Sequence, residues 1–174
     1  MTATIARFDR SPVARPPAPR LAVTYRPARP MDVPAIVALI NDYAARGVML
    51  PKSSDSVAMA LDDFIVAADR TDRLLGCAAI REYSPSIGEV GSVAVVARAH
   101  GTGIGRALVR HVEQLAGCRG IHQLVALTMT PRFFETLGYA VVEKSSYPEK
   151  VARDCAGCAR RNDCPEICVA RYLN

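Results

Sequence analysis

The chain has 174 residues, 50% of them hydrophobic and 22% charged, and its net charge of +5 is carried almost wholly by arginine, since Lys52, Lys144 and Lys150 are the only lysines. That composition suits one domain with a sizeable core, and no apolar run is long enough for a membrane span or a signal-peptide core, which points to the cytoplasm. The positive balance suits an anionic small molecule better than nucleic acid, because no arginine cluster is interleaved with aromatics and Trp is absent.

Residues 1–20 are rich in Pro, Arg and Ala and read as a disordered arm. Leu21–Arg26 alternates as a first strand. Asp32 caps a helix that tolerates Pro34 in its first turn, carries Val33, Ile36, Val37 and Ile40 on one face and ends at Gly47. A second helix covers Ser56–Leu61. Strands follow at Phe64–Ala68 and Leu74–Arg81, separated by a turn at Asp69–Asp72, and a third at Glu89–Val96. A helix from about Gly103 to Ala116 turns Ile104, Leu108, Val112 and Leu115 inward. Gln123–Leu127 is a strand, Pro131 opens a short helix closed by Gly138, and Ala140–Val142 is the last clear strand. The order β-α-α-β-β-β-α-β-α-β is α/β, with a mixed central sheet flanked by helices. The domain is drawn over 21–150, with 151–174 as a cysteine-rich tail.

The stretch His100-Gly101-Thr102-Gly103-Ile104-Gly105-Arg106 stands between the apolar run Val93-Ala94-Val95-Val96 and the main helix. A strand, a glycine loop and a helix start bring backbone N–H groups and the positive end of the helix dipole together as an anion site. Glycine is needed there because a side chain would block a pyrophosphate. A Walker A loop requires a Lys after its glycines, and none follows; a dinucleotide fingerprint requires a third glycine where Arg106 stands. What remains resembles the coenzyme A loop of the GNAT acetyltransferases, Gln/Arg-x-x-Gly-x-Gly, in the register His100-x-x-Gly103-x-Gly105, with His100 replacing the usual Gln or Arg. Arg98-x-x-Gly101-x-Gly103 also fits the letters, two residues early against the helix.

The resemblance covers about Tyr25 to Val142 and implies the GNAT fold, with acetyl-CoA as co-substrate held by the loop residues 100–106 and by the backbone of Val93, Ala94 and Val95. The segment Gly88-Glu89-Val90-Gly91-Ser92-Val93-Ala94-Val95 resembles the Gly-Glu-x-x-Cys-x-Ala-Val strand of N-acetylglutamate synthases, which implies that Glu89 is the general base; the plain alternative is a solvated strand-end carboxylate. Many GNAT enzymes place a Tyr acid where this chain has Phe134. Leu127-Thr128-Met129-Thr130-Pro131 is similar to the hydroxyl-bearing segment of the glutamate enzymes and makes Thr130 the candidate acid, with a helix N-cap as its alternative. Gly47–Ser53, Gly76–Ile80 and Tyr147–Val151 also resemble those enzymes. The implied acceptor is the α-amine of L-glutamate or glutamine, at the first step of arginine biosynthesis. A dicarboxylate calls for two cationic contacts, for which Lys52, then Lys150 and Arg81, are the candidates, each otherwise a surface charge. Many family members carry an amino-acid-kinase domain for which this length has no room, so feedback through it is not expected; a homodimer is expected by analogy. Two other readings stay open: a GNAT enzyme with another acceptor (peptide N-terminus, polyamine, antibiotic), and a non-catalytic acyl-CoA or redox sensor.

Cys155-x2-Cys158-x5-Cys164-x3-Cys168 places four thiols in a short arginine-rich segment. Without a secretion signal, such a cluster suits a metal better than disulfides, and four thiolates suit tetrahedral zinc or an iron–sulfur cluster. The alternative is a set of reduced or paired cysteines packing a flap over the acceptor site. Cys77 and Cys118 stand apart and read as core residues.

Overall fold

The computed structural model describes residues 22–173, so the arm over 1–20 lies outside the described residues. Seven strands form one sheet: β1 (Thr24–Pro27), β2 (Phe64–Ala68), β3 (Leu74–Glu82), β4 (Ile87–Val95), β5 (Gln123–Thr128), β6 (Ala140–Val141) and β7 (Ile167–Tyr172), in the order β1-β2-β3-β4-β5-β7-β6. Only β4 and β5 pair in parallel; the other neighbours are antiparallel. The α-helices are α1 (Val33–Ala45), α2 (Ser54–Met59), α3 (Ile104–Cys118), α4 (Pro131–Glu135) and α5 (Pro148–Lys150), the last running into a π-helical turn over Val151–Cys155. The expected mixed α/β sheet flanked by helices is what forms.

Helices cover both faces of the sheet, which is why β2 is apolar and buried at every residue rather than alternating. Leu108, Val109, Val112 and Ala116 of α3 pack on one face with Leu75, Ala78 and Ile80. Ile36, Leu39 and Ile40 of α1 pack on the other with Val66, Cys77 and Ala79. Neighbouring residues of β3 thus serve opposite clusters, as a two-residue period requires. Two expectations shift. The α2 helix starts earlier than the apolar pattern suggests, because the Ser53 hydroxyl accepts the Ser56 N–H at 3.1 Å. Cys118 is exposed, not core, because it ends α3 on the side away from the buried stripe.

Three features position the site. The β4–β5 pairing runs only from Ile87↔Gln123 to Glu89↔Val125, after which the two strands part into a V with Glu89 at its apex. The β3–β4 register then jumps from Ala79↔Gly91 to Cys77↔Ala94, so that Ser92 and Val93 together face one residue of β3. Ser92 takes φ 53°, a left-handed value unusual outside glycine, and the extra residue is a β-bulge in the arm of the V. Finally, the segment drawn as a separate tail supplies β7, inserted between β5 and β6 and paired with β5 from Gln123↔Tyr172 to Thr128↔Ile167. The boundary at 150 therefore does not divide the fold: Val169 and Ala170 are buried in the sheet.

Candidate active site

The glycine loop ends in the N-cap of α3 at Gly103, and its two left-handed positions are Gly101 (φ 73°) and Gly103 (φ 88°). A Cβ at either would meet nothing within 4 Å, so the space in front of both is open. The first helical bond is Ala107 N–H to Gly103 C=O at 3.0 Å, which leaves the N–H groups of Ile104, Gly105 and Arg106 without helical partners. Open glycines in front of a helix N-terminus suit a pyrophosphate, and the parted β4 and β5 strands suit a long thin pantetheine arm. An alanine at 103 would be forced into a left-handed conformation. Gly103→Ala is expected to cost about 1 kcal/mol of stability and to weaken coenzyme A binding; calorimetric titration of coenzyme A into the variant, beside its melting curve, checks both.

The side chains around the loop look elsewhere. His100 Nε2 lies 2.8 Å from the Val95 carbonyl and 2.8 Å from the Tyr43 hydroxyl, which itself donates to Val95 O at 2.7 Å. Its ring is thus folded against the end of β4. Thr102 donates to Ala99 O at 2.7 Å, and Arg106 reaches Thr136 O on α4 at 3.3 Å. Val93 and Val95 are partly buried against the core below α3, and Ala94 is buried on the α1 side.

At the apex of the V, Glu89, Arg81 and Lys150 come together, joined by two residues not singled out in the sequence, Tyr83 and Asp154. Lys150 Nζ donates to Glu89 Oε2 at 2.8 Å, to Tyr83 Oη at 3.0 Å and to Asp154 Oδ2 at 3.3 Å. The Tyr83 hydroxyl lies 2.5 Å from Glu89 Oε2 and also contacts Asp154 Oδ2, and Arg81 pairs with Asp154 Oδ1 at 3.0 Å. The Lys150 and Glu89 side chains are only 7% and 13% exposed, so these are low-dielectric contacts. Burial pulls the Lys150 ammonium down, but the Glu89 and Asp154 carboxylates outweigh it and hold its pKa above the ordinary value. Burial pushes Asp154 up, yet the Tyr83 hydrogen bond and the charges of Lys150 and Arg81 hold it below the usual carboxylate range. Burial, then the two carboxylates, keep the Tyr83 phenol well above the tyrosine range, so it stays a proton donor. Glu89 Oε2 is therefore filled, while Oε1 takes no hydrogen bond from the described residues. One carboxylate oxygen is thus left open while its twin holds the group in place.

The remaining candidates lie apart. Thr130 is exposed at the start of α4, its hydroxyl 3.1 Å from that of Thr128 and making no cap bond. Thr128 ends β5 and Thr130 follows two residues later at the start of α4, past the point where β5 parts from β4. Phe134 is buried against Phe133 and Tyr139. The backbone of Lys52 is pinned by the Asn41 amide, at 2.9 and 3.0 Å.

A cavity of about 500 Å³ opens beside the carboxylate network, walled by Lys150, Asp154, Leu50 and Leu127. The chain after α5 forms its far side and is tied to the α1–α2 loop by Arg160 Nη1, which donates to Gly47 O at 2.8 Å. Cys155, Cys158 and Cys164 line this cavity, half-buried, whereas Cys168 is buried on β7 beside Val125 and Tyr147. Burial, then the nearby Glu89 charge, push the Cys168 thiol up to about 11. Among the described residues no three His, Cys, Asp or Glu side chains converge as a metal set. The four-thiolate site expected from the spacing is not assembled: Cys168 lies on β7, Cys155 ends the π-helical turn, and Cys158 and Cys164 lie in the chain between them. A cleft of about 730 Å³ between α1 and the β2–β3 turn shares no residue with the network or the glycines.

Sequence reasoning missed Tyr83, Asp154 and the Ser92 bulge. Asp154 carried one usable signal, its position four residues after Lys150 on a helical stretch. Tyr83 carried none, since its partners lie 6, 67 and 71 residues away.

Comparison with known proteins agrees with this fold. The acetyltransferase (GNAT) domain model matches residues 60–141. An N-acetyltransferase of Chlorobaculum tepidum, itself uncharacterized, is 36% identical over 148 residues, 85% of this chain and 95% of that one. An amino-acid acetyltransferase of Mycobacterium tuberculosis is 33% identical over 120 residues, 68% of each chain. Among solved structures, N-acetylglutamate synthase from Neisseria gonorrhoeae, complexed with coenzyme A and N-acetyl-glutamate, superposes with a TM-score of 0.79 at 28% identity. That match covers 87% of this chain and 35% of the Neisseria chain, so this protein spans about a third of that relative. A Mycobacterium tuberculosis protein in complex with CoA and NLQ superposes with a TM-score of 0.75 at 27% identity, covering 87% and 99%.

Proposed function

The chain belongs to the GNAT acetyltransferases, and from that footing we propose that it transfers the acetyl group of acetyl-CoA to the α-amine of L-glutamate or L-glutamine, the acylation that opens arginine biosynthesis. The observation that carries this reading is Glu89 at the apex of the parted strands, with Oε2 held by Tyr83 and Lys150 and Oε1 open. The bound co-substrate supplies the thioester. The N–H groups of Ile104, Gly105 and Arg106 hold its pyrophosphate, and the backbone of Val93 to Val95 lines its pantetheine arm.

An amino acid reaches the site as an ammonium, which cannot attack a carbonyl. Glu89 Oε1 takes one of its protons, and the freed nitrogen adds to the thioester carbon. As the tetrahedral centre collapses, the C–N bond stays, the C–S bond breaks, the nitrogen gives up its second proton and the thiolate takes one up, so that one of the two protons ends on the thiol and the other leaves through Glu89 to solvent. Thr130, whose hydroxyl lies 3.1 Å from that of Thr128, is the residue assigned to passing the sulfur its proton. Lys150 and Asp154 wall the 500 Å³ cavity and touch Glu89 or its partners, which makes this cavity the acceptor's approach.

Proton NMR of the products from acetyl-CoA and L-glutamate tests the reading. Acetylation at nitrogen removes the titration of the α-proton shift near the amine pKa. An unmodified amino acid after prolonged incubation with bound acetyl-CoA overturns it.

A further inference from the structure

Resting on the amino-acid reading of the site, we infer that the carboxylate of the acceptor is held by Lys144, in the turn before α5, and Arg161, in the chain after it, both of which line the cavity. Arg81 and Lys150 are already neutralised: Lys150 by Glu89 and Asp154, Arg81 by Asp154. Lys52 has its backbone fixed against Asn41 and is not among the residues lining the cavity.

Lys144 and Arg161 do line it, and among the described residues neither forms an ion pair. The one side-chain hydrogen bond of Arg161 is a long one, 3.5 Å to Ala156 O, leaving most of its donor fork open. The acids on the cavity wall are Asp154, held by Lys150 and Arg81, and Glu166, whose carboxylate contacts the Cys164 thiol at 3.9 Å. The cavity therefore carries two open cations, Lys144 and Arg161, against one carboxylate without an ion-pair partner among the described residues, Glu166. An acceptor whose amine lies at Glu89 and whose carboxylate meets these two cations is an amino acid, with leucines at 50 and 127 as an apolar flank for its methylenes. A polyamine would bring cations to cations.

The test pairs Lys144→Met, Arg161→Met and the double variant with acceptors that carry or lack carboxylates: L-glutamate, L-glutamine and glutamic acid diamide. With L-glutamate, KM is expected to rise about tenfold in each single variant and roughly a hundredfold in the double, the loss of one and two charge-assisted contacts. The coenzyme's KM stays unchanged and kcat stays within about threefold, since neither residue touches Glu89. With the diamide, wild type and variants are expected to perform alike, a pattern that a general loosening of the loop would not produce. Glutamate turnover whose KM is indifferent to both substitutions overturns the assignment and leaves the amino-acid reading standing. A wild type that acetylates carboxylate-free amines better than any amino acid overturns both.

Discussion

Glu89→Gln is expected to lower kcat by about 10²–10⁴-fold, the usual contribution of a positioned general base, while acetyl-CoA binds as tightly as to wild type. The separation follows from the layout: the coenzyme loop and the carboxylate network lie on different elements, and no side chain of the loop reaches Glu89. Glutamine keeps the shape of the side chain and an oxygen for Tyr83 or Lys150 to bond, so folding should survive. The same substitution separates the sensor reading from the enzyme. A sensor with coenzyme affinity and no turnover would show no difference between wild type and variant. Steady-state thiol release, with coenzyme titration alongside, checks the expectation.

Lys150→Met should have the largest effect on stability. It removes the ammonium that touches Glu89 Oε2, Tyr83 Oη and Asp154 Oδ2 at once, and leaves two mostly buried carboxylates facing one phenol. Breaking a buried pair by deleting one partner costs about 3–5 kcal/mol, which in a chain of this size lowers Tm by roughly 10 °C at pH 7. The deficit depends on pH in a definite sense. Asp154 is held below its ordinary 3.8, so its share of the stabilisation is present above that value and is lost as pH falls through the lowered folded pKa. Lys150 is held above its ordinary 10.5, so its share is present below that value and is lost as pH rises through the raised one. Melting curves of wild type and variant should therefore run far apart from pH 3.8 to pH 10.5 and converge only as pH falls through the lowered Asp154 pKa or rises through the raised Lys150 one. Equal Tm values at pH 7 would mean that the ion pairs are solvated contacts without structural weight.

The sheet from β2 to β4, the glycine loop and α3 were legible because periodicity and glycine spacing report local geometry directly. Ile104, Leu108 and Val112 are buried where a 3.6-residue period puts them. β7 was hidden because its run Ile167-Cys168-Val169-Ala170-Arg171-Tyr172 shares a cysteine with the spacing that suggested a metal. Once that strand pairs with β5, Cys168 belongs to the sheet, and among the described residues the four thiols do not converge. Glu89 stood out in the sequence as a base and Arg81 and Lys150 as acceptor cations; the structure brings the three into one network, and charge alone could not say whether the two cations would face a substrate or an internal carboxylate. That depended on Tyr83 and Asp154, which are brought in by a hairpin and by a chain segment more than sixty residues away. The Ser92 bulge had no signal at all, since a serine, not a glycine, occupies the left-handed position.

The most direct test is thiol release from acetyl-CoA by the purified chain, with L-glutamate, L-glutamine, L-aspartate and L-lysine compared at equal concentration. Turnover concentrated on glutamate or glutamine, with aspartate and lysine far behind, is the predicted result. Bound acetyl-CoA with no release on any of the four would contradict the account, because Glu89 would then sit beside a coenzyme whose acetyl group it does not help to move onto an amino acid.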